Sequence, residues 1–218
     1  MNHDFFLSDE NLVGASPNAP FHFFADCLGI TGLGEGKNRT AISTSKGSLI
    51  IQANNENLVW MNGCIHRFRS SCNHGYGPLA LKRAFLLQEQ VDQMLSDSKP
   101  QKFINGKSIF LGHAFGCHAF GHIHDTLQRL FYFRGFDSLA NYKFIVNRYD
   151  RIVDFKSHLN AVVSHTVPDE NIIILDNAYD YRFENLYYSH SPAVMTSYTD
   201  KSLKWINRAY RTKFSRQG

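Results

Sequence analysis

The sequence predicts an α/β protein, with a parallel sheet covered by helices and a β-rich leader in front of it. Two observations carry that expectation. Beyond residue 107, short apolar runs alternate with segments of helical spacing, the pattern of strand–helix–strand units. Before residue 100, apolar runs are separated by turn-forming residues, as in a hairpin.

The leader spans residues 1–99. Its first 40 residues are polar and rich in glycine, closing on Gly32-Leu33-Gly34-Glu35-Gly36. The third glycine falls at the wrong spacing for a dinucleotide fingerprint, so a turn is expected there. Residues 47–61 place two apolar runs around Ala53-Asn54-Asn55-Glu56-Asn57, which predicts a β-hairpin. Residues 79–95 carry Leu81, Phe85, Gln88, Val91 and Leu95 at helical spacing. The polar stretch 96–107, with Pro100 and Gly106, is the expected boundary.

The second unit spans residues 100–218. Residues 108–111 (SIFL), 142–146 (YKFIV) and 171–175 (NIIIL) are apolar enough to be strands buried on both faces. Between the first two, Phe120, Ile123, Leu127, Leu130, Phe131 and Arg134 fall at offsets that predict a helix over 119–133, with Leu127, Leu130 and Phe131 buried. Ile152, Phe155, Leu159, Val162 and Val163 predict a second helix over 151–163. An alternating aromatic segment follows around Tyr179–Tyr188. Residues 200–214 form an amphipathic helix, with Leu203, Ile206, Ala209, Tyr210 and Phe214 on one face and Lys204, Arg208 and Arg211 on the other.

Composition narrows the function. The chain has 218 residues, 43% apolar and 19% charged, enough for a packed core. Four cysteines in a chain of this size do not predict a disulfide scaffold. The first basic residue is Lys37, so no secretory n-region is expected, and no apolar run approaches a membrane span. A reduced, cytoplasmic protein is the expectation. Six of the 23 basic residues follow position 200, which leaves 17 basic against 19 acidic over residues 1–200. The basic character belongs to the tail, and no nucleic-acid partner is expected.

Chemistry concentrates in GHAFGCHAFGHIHD, where His113, Cys117, His118, His122, His124 and Asp125 fall within 13 residues. Three readings compete. In the first, Asp125 and Arg129 are an i, i+4 surface ion pair, His118 is a solvated loop residue and His124 edges the buried face. In the second, Gly116, His122, His124, Gln128 and Gly135 resemble the first motif of a cupin, a metal-dependent enzyme or sugar-binding protein. That motif needs a strand where the spacing is helical, and it has glutamine in place of the usual glutamate. In the third, a His-Asp pair beside a glycine-rich loop takes a proton from a hydroxyl, directly or through an oriented imidazole.

Residues 102–112 (KFINGKSIFLG), FGHIHDTLQRLFYF, and the strand–helix–strand running to NIIILDNAYDYRFENLYYSHSP together resemble glycosyltransferase family 61, the DUF563 group. The stretch His124-Asp125-Thr126-Leu127 is also similar to the His-Asp run of the protein O-mannose N-acetylglucosaminyltransferase branch. The resemblance covers about residues 100–213. It implies a Rossmann-like, GT-B-like N-terminal lobe that is metal-independent and inverting. It implies transfer from a nucleotide-sugar, as co-substrate rather than cofactor, to a glycan or lipid-linked sugar acceptor in surface polysaccharide assembly. On this basis Asp125, His124 and His122 are the candidate catalytic residues, and His118, Gly121 and Arg129 the candidate substrate contacts. His122 stands one residue closer to the acid than the family spacing, so either His122 or His124 can fill the family histidine's place. The family's donor-binding lobe would follow Gly218. The resemblance therefore also leaves open a fragment completed by a missing lobe or by self-association, or a non-catalytic remnant.

Overall fold

The computed structural model describes residues 21–33, 39–44, 47–51, 56–61, 64–69, 89–97, 99–111, 127, 129–134, 136, 139–146, 152–189, 193–194, 197–198 and 200–214. Among these, a nine-stranded mixed sheet is the backbone of the molecule. Its antiparallel part holds β1 (Phe21–Leu33), β2 (Arg39–Thr44), β3 (Gly47–Ile51), β4 (Glu56–Met61) and β5 (Cys64–Arg69), each paired with its neighbour in sequence. A helix α1 covers residues 89–96. The parallel part holds β6 (Gln101–Phe110), β7 (Lys143–Val146), β8 (Ile172–Ile174) and β9 (Asp180–Ser189). Strand order is β5-β4-β3-β2-β1-β9-β6-β7-β8. Helices α2 (Ile152–Val163) and α3 (Asp200–Phe214) and a short hairpin of β10 (Ala193–Val194) and β11 (Ser197–Tyr198) complete it.

The βαβ unit β7–α2–β8 and the parallel pairing of β6, β7, β8 and β9 match the α/β expectation. The last three residues of β6 and of β7 are buried because both faces of the sheet are covered there. Ile109, Leu111, Phe144 and Val146 face one way and pack against Phe155, Leu159 and Val162 of α2, Ile206 of α3, and Leu130 and Phe133. Phe110 and Ile145 face the other way, into a second cluster with Phe183, Leu186 and Tyr188 of β9, Phe24 and Cys27 of β1, and Ile42 of β2. A third cluster, Ile30, Leu33, Ala41 and Val91, seats α1 on β1 and β2.

Two expectations about the leader change. The stretch 101–107 is not a boundary but the first part of β6, and β1 joins β9 by eight backbone partners from Phe21 to Gly29. The sheet therefore runs through the place where the chain looked divided. Polar residues were tolerated there because Ile104 alone points inward over 101–107. A bulge separates the two parts of β6: Ile104 pairs with Phe183, but the next partner of Asn185 is Lys107. Gly106 takes a positive φ of 76°, and its N–H donates to Glu184 Oε2 at 2.6 Å. In β1, Asp26 also has positive φ (47°), and its carboxylate receives Arg182 Nε and Nη2, both at 2.7 Å.

The C-terminal helix forms where its spacing predicts. Its apolar face is docked within the chain: Ile206 is buried, Trp205 meets Phe131 edge-on at 5.8 Å, and Tyr210 meets His158 of α2 at 5.4 Å. Lys204, Arg208 and Arg211 face solvent, as the spacing predicted.

Candidate functional site at the carboxyl edge of the parallel strands

In open parallel sheets ligands gather past the carboxyl ends of the strands. Here those ends are Leu111 after β6, Val146 of β7 and Ser189 of β9. The edge is tied laterally: Leu111 N–H donates to Ile145 O and Leu175 N–H to Val146 O, both at 2.8 Å.

The histidine-rich segment leaves this edge. His118, Gly121, His122, His124 and Asp125, with His113 and Cys117, lie outside the described residues. Its two flanks are described. Leu111 and Leu127 are both fully buried in the same cluster under α2, so the segment begins and ends on one patch of core. The chain then forms a 3-10 helix, Arg129–Phe133, seated on β9 by Ser189 Oγ, which donates to Arg129 O at 2.9 Å.

Of the α-helix predicted over 119–133, residue 127 is α-helical, 129–133 form a 3-10 helix, and 119–126 and 128 lie outside the described residues. Leu127 and Leu130 are buried, as expected, but the third buried position is Phe133, while Phe131 is only half-buried. Within the 3-10 helix the buried Leu130 and Phe133 are three residues apart, the period of that tighter helix. Phe131 turns outward to Trp205 and lies under the guanidinium of Arg134, 4.0 Å from its ring centroid. A cupin would need a strand here, and residues 129–133 do not form one.

Arg129 is the one proposed site residue whose position is described. It is 1% exposed, which does not fit a surface ion pair with Asp125. Its guanidinium carbon lies 5.4 Å from the centroid of the Tyr188 ring, within cation–π reach. A fully buried cation next to the histidine-rich segment places permanent positive charge behind this edge of the sheet.

Sequence reasoning missed the residues of β9 that build this support. Tyr187 contacts the rings of Phe133 (6.3 Å), Phe136 (5.5 Å), Tyr142 (5.7 Å) and Phe23 (4.9 Å). Burial raises the phenol pKa of Tyr187, and that of Tyr132 against the opposing effect of Arg134. The available signal was the run Leu186-Tyr187-Tyr188-Ser189, whose aromatic alternation marked a strand without showing that its end would hold Arg129.

The fold and this edge define a mixed α/β protein with a histidine-rich crossover leaving its parallel strands. No family model, no curated protein and no solved structure matches the chain.

Proposed function

We propose that the protein is a glycosyltransferase, or the acceptor-side lobe of one, moving a sugar from a nucleotide-sugar to a hydroxyl. One observation supports this above others: both flanks of the histidine-rich segment are buried at the carboxyl edge of β6 and β9, where α/β folds carry their ligands. In the proposed reaction Asp125 takes the acceptor proton, directly or through His124 or His122. The acceptor oxygen then bonds to the anomeric carbon as the bond from that carbon to the diphosphate oxygen breaks, and the nucleoside diphosphate leaves with inverted configuration at the sugar. The leaving diphosphate gains charge, and the exposed Lys204, next to the Trp205 that meets Phe131, supplies a cation at this end of α3.

The test is release of nucleoside diphosphate from UDP-, GDP- and CMP-sugars in the presence of simple glycoside acceptors, with CMP as the product in the last case. Asp125→Asn should lower turnover by about 100-fold or more with an unchanged melting temperature. Folded protein that releases nucleotide from no donor, or an Asp125→Asn variant with unaltered turnover, overturns the proposal.

A further inference from the structure

A second, separate site lies at the opposite end of the parallel strands. Helix α2 runs from the carboxyl end of β7 back to the amino end of β8, so its last turn sits away from Leu111 and Ser189. There, against α3, is a cleft of about 260 Å³. Ala161 and Ala209 are its apolar lining residues. Its rim carries Asn160, Ser164, His165, Thr166 and Thr212.

The rim has unused hydrogen-bonding capacity. Asn160 Oδ1 accepts from Val167 N–H at 2.8 Å, which fixes the amide and leaves its NH2 group. Among the described residues, Ser164 and Thr166 make no side-chain hydrogen bond, and Nε2 of His165 has no partner. Thr212 donates its hydroxyl proton to Arg208 O at 3.0 Å and keeps its lone pairs. Ser164 is held at a φ of 62°, in the left-handed region, so the chain reverses here at a cost in strain. The end of a helix also presents carbonyl acceptors.

Charge decides the class of ligand. Among the described residues no carboxylate, lysine or arginine lines the cleft, and the helix end is the partially negative one, which disfavours an anion. Donors and acceptors together with apolar lining residues match a neutral molecule bearing several hydroxyls and a C–H face. The volume is below the roughly 300–1,000 Å³ of drug-sized pockets and accommodates a single ring.

We propose that this cleft between α2 and α3 binds a neutral polyhydroxylated ligand of monosaccharide size. The site does not depend on the transferase reading: it uses none of the residues proposed for catalysis, and either can fail alone. The experiment is an NMR titration of the full chain with methyl glycosides of glucose, galactose and N-acetylglucosamine, and separately with inorganic phosphate, following the His165 ring signals. At least one glycoside should give saturable shifts. Thr212→Trp changes an exposed position and fills the mouth of the cleft; it should weaken that binding by about tenfold or more at an unchanged melting temperature. Ser164→Gly relieves the positive φ and should keep the fold while weakening binding by removing one hydroxyl. The proposal is overturned if no glycoside gives saturable shifts, if phosphate gives them instead, or if binding survives Thr212→Trp intact.

Discussion

Replacing Asp180 tests whether the leader and the parallel strands are one cooperative unit. The Asp180 side chain is 4% exposed, at the amino end of β9. Its Oδ1 accepts the N–H of Thr31 in β1 at 3.1 Å and lies 3.7 Å from Lys99 Nζ. Lys99 Nζ also donates to Thr31 O at 2.7 Å, and Thr31 Oγ1 donates to Tyr179 O at 2.7 Å. Asp180→Leu leaves a buried Thr31 N–H without its acceptor and a partly buried ammonium without its counter-charge. The first costs about 1–3 kcal/mol, and breaking a buried pair altogether about 3–5 kcal/mol. Lys99 is 23% exposed and keeps its bond to Thr31, so about 3 kcal/mol is the expected loss, a large part of a typical 5–15 kcal/mol. Asp180→Asn keeps an oxygen for Thr31 and should cost about 1 kcal/mol. The chain has two tryptophans, Trp60 in β4 of the antiparallel part and Trp205 in α3, which packs on the parallel part. Urea unfolding of the Trp60→Phe and Trp205→Phe backgrounds reads each half by fluorescence. Coincident transitions, both shifted by Asp180→Leu, are expected. A shift in the Trp205 transition alone, or a cost for Asp180→Leu no larger than that of Asp180→Asn, refutes the single unit.

Leu130→Asp buries an unpaired carboxylate against Phe133 and α2, which costs several kcal/mol; it should yield insoluble or unfolded protein, and a soluble variant with a native melt would remove Leu130 from the core. Burial raises the Cys27 thiol from 9.0 to about 12 and the Tyr210 phenol from 10.0 to about 12. The folded state therefore holds protons that the unfolded chain releases, so the contribution of Cys27 is level below pH 9.0 and falls as pH rises toward about 12. The Cys27 contribution is about 1.4 kcal/mol per pH unit, and a Cys27→Ala variant should show a shallower alkaline decline in melting temperature. Gly29→Ala would set a Cβ 2.6 Å from Cε2 of the buried Phe183, whereas at Gly106 a Cβ meets nothing within 4 Å and only the φ of 76° resists it. Chemical denaturation should rank Gly29→Ala as the costlier, at about 1–3 kcal/mol against about 1 kcal/mol for Gly106→Ala.

The second half of the fold was legible because its elements bury their own apolar residues. Phe155, Leu159 and Val162 lie where 3.6-residue spacing puts them, and the runs at 144–146 and 172–174 are strands. The strands that escaped notice are held by their neighbours. β1 is broken by Asp26, Gly29 and Gly32, and it stays extended because it lies between β2 and β9. The opening of β6 exposes Gln101, Lys102 and Phe103, and backbone pairing with β9 makes it a strand. The 3-10 turn that follows the α-helical Leu127 was not foreseen, because spacings of three and of 3.6 share Leu130 and diverge only at Phe131 and Phe133. Of the candidate site, the sequence marked the histidine cluster; it could not show that Arg129 would lie inside the protein, since charged residues are almost always solvent-facing.

Strand β9 explains how the two halves of the sheet bear on the proposed chemistry. It is the only strand of the described sheet with an antiparallel neighbour on one side and a parallel one on the other. At its amino end Asp180 fastens β1 and Lys99; at its carboxyl end Ser189 holds Arg129 and Tyr188 lies against the guanidinium. Between them, the bulge at Gly106 and the Asp26–Arg182 pair mark where the side-chain alternation of β9 changes step, so that Tyr181 and Phe183 on one side of it and Leu186 and Tyr188 on the other all reach the same core. Without that change of step Tyr188 would fall on the opposite face, and Arg129 would have no aromatic surface to rest on. The polar, irregular middle of the sheet, which made residues 101–107 look like a linker, is thus what lets the leader brace the edge from which the histidine-rich segment departs.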